Sequence, residues 1–215
     1  MNEHEKYIPA LRYDWLTPLY DSVMRWGMHE DQFKSDLIRL AQIKPGMRVL
    51  DLGCGTATLT IKIKQAFPEA EVVGLDGDAR VLEIGRAKAQ KAGVNIILDQ
   101  GMSFDLTYPD HSFDRVLSSL VFHHLTTHNK QRTMAEVLRI LQPGGELHIA
   151  DFGKPNTTWA RLISLFMARL EEASDNYKGR LPTLLRAAGF DQVGERGHYA
   201  TIFGTLTLYM AIKQA

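Results

Sequence analysis

Five short apolar runs alternate with amphipathic helical stretches between residues 48 and 150. The runs are nearly continuous in their apolar character, as is typical of parallel strands that helices cover on both faces. Strands that alternate with helices in this way predict a doubly wound α/β sheet. The predicted strands are Val49–Leu52, Val72–Leu75, Asn95–Leu98, Val116–Ser119 and Glu146–Ala150.

The C-terminal region has a different pattern. A predicted helix, Leu181–Ala188, is followed by two strand-like runs, Asp191–Tyr199 and Thr201–Lys213. Too little chain separates these runs for a crossover helix, so they are expected to pair antiparallel. In the second run large apolar residues occur at every other position from Leu206 to Ile212, which is the period of a strand. The sequence therefore predicts seven strands, of which the last is antiparallel.

The chain of 215 residues is short enough for a single domain, 1–215. Within it we expect a helical N-terminal lid over 1–44, a ligand-binding core over 45–155, and a third part over 156–215. The third part would hold substrate-side helices and the C-terminal antiparallel hairpin.

Composition excludes several classes of protein. Lysine and arginine number 25, and so do aspartate and glutamate, so the chain lacks the bulk basicity of a nucleic-acid binder. Its single cysteine excludes a disulfide framework and a cysteine-based zinc site, and the histidine spacings predict no metal site. The sequence has neither an apolar run of about 18 residues nor an apolar leader. We expect a cytoplasmic protein without an integral membrane segment.

A glycine turn at the end of the first strand is the strongest local motif. Gly53 and Gly55 permit positive φ and leave the backbone open to a ligand. The helix that follows offers free N–H donors and a partial positive charge at its first turn. Asp76 lies 21 residues after Gly55, at the end of the second strand, where an acid can bind the hydroxyls of a ribose. These features together predict a cofactor that contains a nucleoside.

The residues around the turn favour one cofactor over another. A dinucleotide fingerprint has a third Gly or Ala where this chain has Thr58. Asp51, two residues before Gly53, would repel a pyrophosphate but attract an amino group. S-adenosylmethionine (SAM) carries an ammonium group and no phosphate, so it fits better than a nicotinamide dinucleotide. An NAD(P)-dependent oxidoreductase remains the alternative enzyme class.

With these motifs the sequence resembles the class I SAM-dependent methyltransferases, and within them the ubiquinone/menaquinone C-methyltransferase-like group. The resemblance implies a Rossmann-like sheet of seven strands, SAM as methyl donor and S-adenosylhomocysteine as product. It extends over about residues 10–213. The stretches that carry it are VLDLGCGTATLT (49–60), VVGLDGDARVLEIGRAKA (72–89), FDRVLSSLVFHHL (113–125), VLRILQPGGELHIADFGKP (137–155) and LLRAAGFDQV (184–193).

The resemblance also implies which residues contact the cofactor. The methionine end of SAM would lie at the glycine turn, the ribose at the end of the second strand, and the adenine after the third strand. In chain order the implied contacts are Asp51, Gly53, Cys54, Gly55, Thr56, Asp76, Gly77, Met102, Ser103, Ser118 and Leu120. Met102 stands where the family usually has an aspartate. Ser118 and Leu120 would lie near the transferred methyl group.

Residues for catalysis and for the acceptor follow the fourth and fifth strands. His123 and His124 are candidate bases, needed only if the acceptor loses a proton. Asp151, at the tip of the fifth strand, would either bind a polar acceptor or hold a histidine. Tyr20 belongs to the aromatic N-terminal lid.

The acceptor itself is expected to be a small hydrophobic or aromatic molecule. The segment 156–179 is shorter than its counterpart in the quinone methyltransferases, which argues against a quinone. An apolar stripe over 159–170 leaves a lipid N-methyltransferase as an alternative. A SAM-binding scaffold without turnover is the alternative outside the enzymes. The acceptor atom and a homodimer both stay open.

Overall fold

A computed structural model describes residues 29–156, 158, 160, 161 and 174–215 of the chain. Seven strands form one sheet in the order β3-β2-β1-β4-β5-β7-β6. β5 pairs antiparallel with β7, as does β6, while all the other pairings are parallel. The strands are β1 Arg48–Leu52, β2 Glu71–Asp76, β3 Ile97–Gln100, β4 Phe113–Ser119, β5 Leu141–Phe152, β6 Asp191–Thr201 and β7 Gly204–Ile212.

Helices cover both faces of this sheet. They are α1 Glu30–Leu40, α2 Thr58–Ala66, α3 Ala79–Ala92, α4 Thr127–Ile140, α5 Ser174–Tyr177 and α6 Leu181–Ala187, with a 3₁₀ turn at Phe122–His124. One apolar layer packs α4 and α6 on the sheet, and the other packs α1 and α2 on the opposite face. The seven-stranded α/β architecture with its last strand antiparallel is as the sequence predicts.

Strand boundaries differ from expectation at two places. The third strand begins at Ile97 instead of Asn95, because β3 is an edge strand and Ile97 itself is 44% exposed. The fifth strand begins at Leu141, directly after α4, and is much longer than its apolar centre. A register shift against β4, between Phe113 and Arg115, accommodates the glycines at its start.

The expected N-terminal lid lies largely outside the described residues, and so do Tyr20 and most of the apolar stripe over 159–170. The described part of the lid, α1, is packed onto the sheet. Its residues Phe33 and Leu37 are fully buried in the layer that includes Leu117 and Ala150. Among the described residues no helix is both long and apolar enough to cross a membrane.

Candidate functional site

The turn between β1 and α2 uses its two glycines for different purposes. Both have positive φ, 72° at Gly53 and 53° at Gly55. A Cβ on Gly53 would lie 2.3 Å from Cγ2 of Val121, whereas a Cβ on Gly55 would meet no atom within 4 Å. Gly53 therefore permits close packing against the segment after β4, and Gly55 faces open space. An open backbone at this place is what a bound ligand requires.

Asp76 joins this turn to the end of β2. One carboxylate oxygen accepts a hydrogen bond from the Gly55 N–H at 2.8 Å, and the other accepts one from Asp78 N–H at 3.0 Å. A carboxylate can accept about four hydrogen bonds, so two sites remain for hydroxyl groups of a ligand. The backbone of Asp76 also accepts from Gly101 N–H, at 3.0 Å, which brings the start of the predicted adenine segment to the same place.

Asp51 is a buried acid with little to stabilise its charge. Its side chain accepts a hydrogen bond from the Thr60 hydroxyl at 2.6 Å, and the residue is 1% exposed. Burial raises the pKa of Asp51 to about 6, and the negative charge of Asp76 acts in the same direction. A buried carboxylate in this condition attracts a cation. The arrangement fits an ammonium group beside the turn and a ribose at Asp76, as SAM would present them.

Cys54, Thr56 and Gly77, which flank the glycine turn and Asp76, are each buried or hydrogen-bonded within the protein. Cys54 is buried, and burial raises the pKa of its thiol far above the ordinary value, which excludes a thiolate nucleophile. The Thr56 hydroxyl accepts a hydrogen bond from Lys88 Nζ at 2.6 Å. The Gly77 carbonyl accepts one from the Gln100 side chain at 3.2 Å. These contacts tie the glycine turn to α3 and the end of β2 to β3.

The predicted adenine residues follow β3. Met102 and Ser103 are half-buried, which leaves surface for a planar ring. The Ser103 hydroxyl lies 3.1 Å from the Thr133 hydroxyl of α4, with which it shares a hydrogen bond. Ser103 therefore ties this loop to α4.

Ser118 makes a contact within the sheet. Its side chain is fully buried and donates a hydrogen bond to the Leu52 carbonyl at 3.0 Å. It therefore bridges β4 and β1 inside the sheet, and a cofactor contact of Ser118 stays a prediction. Leu120 is different: it is half-buried, with a φ of 60°, and its N–H donates to the Ala150 carbonyl at 2.8 Å. This bend turns the chain toward the two histidines.

His123 and Asp151 form a buried pair at the ends of β4 and β5. The ring Nδ1 of His123 lies 2.9 Å from Asp151 Oδ1, and because a carboxylate accepts, Nδ1 carries the hydrogen. The ring also packs edge-on against Phe152, with centroids 4.9 Å apart. Burial by itself raises the pKa of Asp151, but the charge and hydrogen bonds around it, those of His123 foremost, hold that pKa below its usual value.

Asp151 therefore holds a histidine, which is the second of the two roles expected of it. It is fully buried, and its oxygens accept from the N–H groups of Val121 and Phe152 at 3.1 and 2.7 Å. The Asn176 amide of α5 donates to it as well, at 3.1 Å. No surface of Asp151 is left for a ligand.

His124 is the exposed member of the pair. Its ring lies against that of His123, with centroids 3.9 Å apart. The protein packed around the ring, together with the charge of His123, lowers the pKa of His124 to about 4, against the opposing pull of Asp151. His124 is therefore a neutral imidazole at physiological pH. Val121, three residues earlier, packs against Gly53, so the histidines lie beside the glycine turn.

Several residues of the site have no signal in the sequence. Asn176 lies in a segment without a recognisable pattern, yet its amide is part of the Asp151 network. Val121 and Phe152 look like ordinary strand-end hydrophobics but contact the glycine turn and His123. Thr60 could have been suspected, since it stands one helical turn inside the helix that follows the glycines.

The comparisons with known proteins agree with this geometry. The family described as "Methyltransferase domain" matches residues 49–145. A demethylmenaquinone methyltransferase of Listeria monocytogenes serotype 4b is 29% identical over an alignment that is 222 residues long with its gaps. The alignment covers 89% of this chain and 92% of the relative. A ubiquinone/menaquinone biosynthesis C-methyltransferase of Shewanella pealeana is 35% identical over 157 residues, 72% of this chain and 60% of the relative.

A solved structure shows the same fold. A putative methyltransferase from Bacillus halodurans superimposes with a TM-score of 0.70 over 86% of this chain and all of its own, at 17% identity. The family match starts at Val49, so it contains the glycine turn, Asp51 and Asp76. Residues 49–145 thus match a methyltransferase domain, and most of the chain is similar to demethylmenaquinone and ubiquinone/menaquinone methyltransferases.

Proposed function

We propose that this protein is a SAM-dependent methyltransferase that transfers the methyl group to a ring carbon of a small hydroxylated aromatic acceptor of the hydroquinone type. The observation that carries the proposal is an exposed His124 whose ring lies 3.9 Å from that of the buried, Asp151-bound His123, beside the glycine turn. The relatives named as menaquinone and ubiquinone methyltransferases support the same acceptor class, in spite of the shorter segment 156–179.

The cofactor contacts proposed for this chain are those with accessible surface or a fitting charge. Asp51 would hold the ammonium group of SAM and Asp76 the ribose hydroxyls, with the backbone of Gly55 between them. Met102 would pack on the adenine. Bound SAM supplies an electrophilic methyl group on a sulfonium, whose leaving group is a neutral thioether.

His124 has two functions in this proposal. Its neutral ring accepts the proton of an acceptor hydroxyl, which makes the neighbouring ring carbon electron-rich enough to form the new bond to the methyl carbon. The ring carbon then loses its proton to water and aromaticity returns, while the ring oxygen takes back the proton held by His124, so one proton is released in each turnover. A neutral imidazole also avoids repulsion between His124 and a nearby positive sulfur.

His123 and Asp151 position His124. Asp151 fixes the orientation of His123, on whose ring that of His124 rests. When His124 takes a proton, the negative charge of Asp151 offsets part of the unfavourable effect of burial and of His123 on the imidazolium. Well-oriented reacting groups can lower a barrier by roughly 7–11 kcal/mol, so the positioning of His124 is the main contribution of this pair.

The test is methyl transfer from labelled SAM to a panel of acceptors. The panel contains a reduced naphthoquinone, its O-methylated form, and vesicles of an amino phospholipid. Label on a ring carbon of the reduced naphthoquinone supports the proposal. Label on the phospholipid nitrogen would establish the lipid alternative, and S-adenosylhomocysteine binding without any transfer would indicate a scaffold.

A matched pair of variants tests the role of His124. We expect His124→Gln to lower kcat on the reduced naphthoquinone by about 100-fold, the usual effect of losing a general base, without weakening S-adenosylhomocysteine binding. His111→Gln is the control, since His111 precedes β4, whereas His124 follows it, so the two lie at opposite ends of that strand. Equal rates for the two variants would refute a catalytic role for His124.

A further inference from the structure

Lys34, a buried lysine of α1, lies close to Asp51 of the proposed cofactor site. Lys34 is 9% exposed, and its ammonium group donates to Glu30 at 2.6 Å, one turn earlier on the same helix. A lysine is rarely this buried unless its charge is paired or used. Glu30 is itself at the helix start, with 25% of its side chain exposed.

Three contacts place Lys34 beside the acid of the glycine turn. α1 packs on α2 through Phe33 and Leu37, which share an apolar cluster with residues of that helix. Asp31, one turn before Lys34, pairs with Lys62 of α2 at 3.1 Å. Thr60, two residues before Lys62, holds Asp51. The positive charge of Lys34 acts on Asp51 in consequence, and it opposes the rise of the Asp51 pKa.

A positive side chain thus lies near the negative charge of Asp51, beside the glycine turn. The methionine part of SAM ends in an ammonium and a carboxylate on the same carbon, so it presents the complementary pair of charges. We propose that Lys34 binds the carboxylate of the methionine end of SAM while Asp51 binds its ammonium group. α1 would then contribute to cofactor binding, and Glu30 would share or release Lys34 when the cofactor enters. The proposal holds whichever acceptor the enzyme uses.

The experiment compares two ligands that differ only in the carboxylate. S-adenosylhomocysteine and its decarboxylated analogue are titrated calorimetrically into the wild type and Lys34→Met. We expect the substitution to weaken S-adenosylhomocysteine binding about tenfold or more, the effect of losing a charged hydrogen bond. Binding of the decarboxylated analogue should change by less than about threefold. Equal losses for both ligands would overturn the proposal and make Lys34 only a counter-ion of Asp51.

Two further variants keep the test decisive if Lys34→Met folds poorly. Glu30→Gln removes the competing carboxylate, so it should bind S-adenosylhomocysteine as tightly as the wild type or more tightly. Weaker binding in Glu30→Gln would contradict the proposal. Lys62→Gln, which breaks only the Asp31 pair, is the control and should leave both affinities unchanged. A wild type that binds neither ligand would refute the cofactor site itself, independently of Lys34.

Discussion

Replacing Asp51 by asparagine should make the ligand-free protein more stable while it weakens cofactor binding. Asparagine has the same shape and keeps a carbonyl oxygen for the Thr60 hydroxyl, which donates to Asp51 at 2.6 Å. What it removes is a negative charge on a residue that is 1% exposed. The substitution therefore isolates the cost of burying this charge.

The size of the effect follows from the pKa. Burial raises the pKa of Asp51 from 3.8 to about 6. Between these values the folded state holds more protons than the unfolded state, so this group lowers stability as the pH rises through that window. Each pH unit is worth about 1.4 kcal/mol, which gives a loss of about 3 kcal/mol at pH 7 and above. Asp51→Asn carries no charge at this position, so its free energy of unfolding is not lowered in this way.

The assay is urea denaturation of the wild type and Asp51→Asn between pH 4 and pH 8. The two proteins should be equally stable near pH 4, and the variant should be more stable by up to about 3 kcal/mol at pH 8. Asp31→Asn serves as the control, because the Asp31 side chain is 69% exposed and its loss should matter by less than about 0.5 kcal/mol. A difference that does not depend on pH would refute the reasoning.

Further predictions concern the same pocket. S-adenosylhomocysteine affinity of the wild type should fall below pH 6, where Asp51 takes up a proton, and calorimetry on Asp51→Asn should show weaker binding without that dependence. Gly53→Ala should lower the free energy of unfolding by about 2–5 kcal/mol, because strain at positive φ adds to a clash with Val121. Gly55→Ala should cost only about 1–2 kcal/mol in the same urea titration but abolish S-adenosylhomocysteine binding; unchanged affinity would mean that the open space there holds no ligand. Asp151→Asn should destabilise the protein by about 1.5–3 kcal/mol, since it replaces a buried carboxylate that accepts several hydrogen bonds, and a loss under about 0.5 kcal/mol would contradict the hydrogen-bond network.

The strands that could be predicted are those whose residues are buried on both faces. β1, β2 and β4 lie in the middle of the sheet, where continuous apolar runs mark their extent. β3 is at an edge, and its first residue Ile97 is exposed, so the apolar pattern and the hydrogen-bonded strand no longer coincide. The ends of an edge strand are determined by its backbone hydrogen bonds to one neighbouring strand, and a hydrophobic pattern contains no information about those hydrogen bonds.

The cofactor end of the site could be predicted because it is local. The glycine turn and Asp51 occupy neighbouring positions, and Asp76 follows at a fixed offset along one βαβ unit. The acceptor end could be predicted only in part. Its histidines and Asp151 follow two strand ends and could be named, but other contacts join distant parts of the chain. Asn176 reaches Asp151 from 25 positions away, and nothing in the local sequence marks that contact. The hydrogen bond from Ser118 across to Leu52 has no local signal either.

Asp51 and Asp151 show what decides the function of a buried acid in this fold. Both are acidic residues near the carboxyl ends of parallel strands, and both are almost fully buried. Asp151 accepts hydrogen bonds from several N–H groups and from a histidine, and its pKa stays below the usual value. Asp51 accepts hydrogen bonds from Thr60 and is near the charge of Lys34, yet burial still raises its pKa to about 6. A carboxylate with many donors from the protein holds the structure in place, whereas one with few of them is stabilised when a cationic ligand arrives. The free-energy cost of burying the negative charge of Asp51 is thus a source of affinity for the ammonium group of SAM, because binding of that cation offsets the cost.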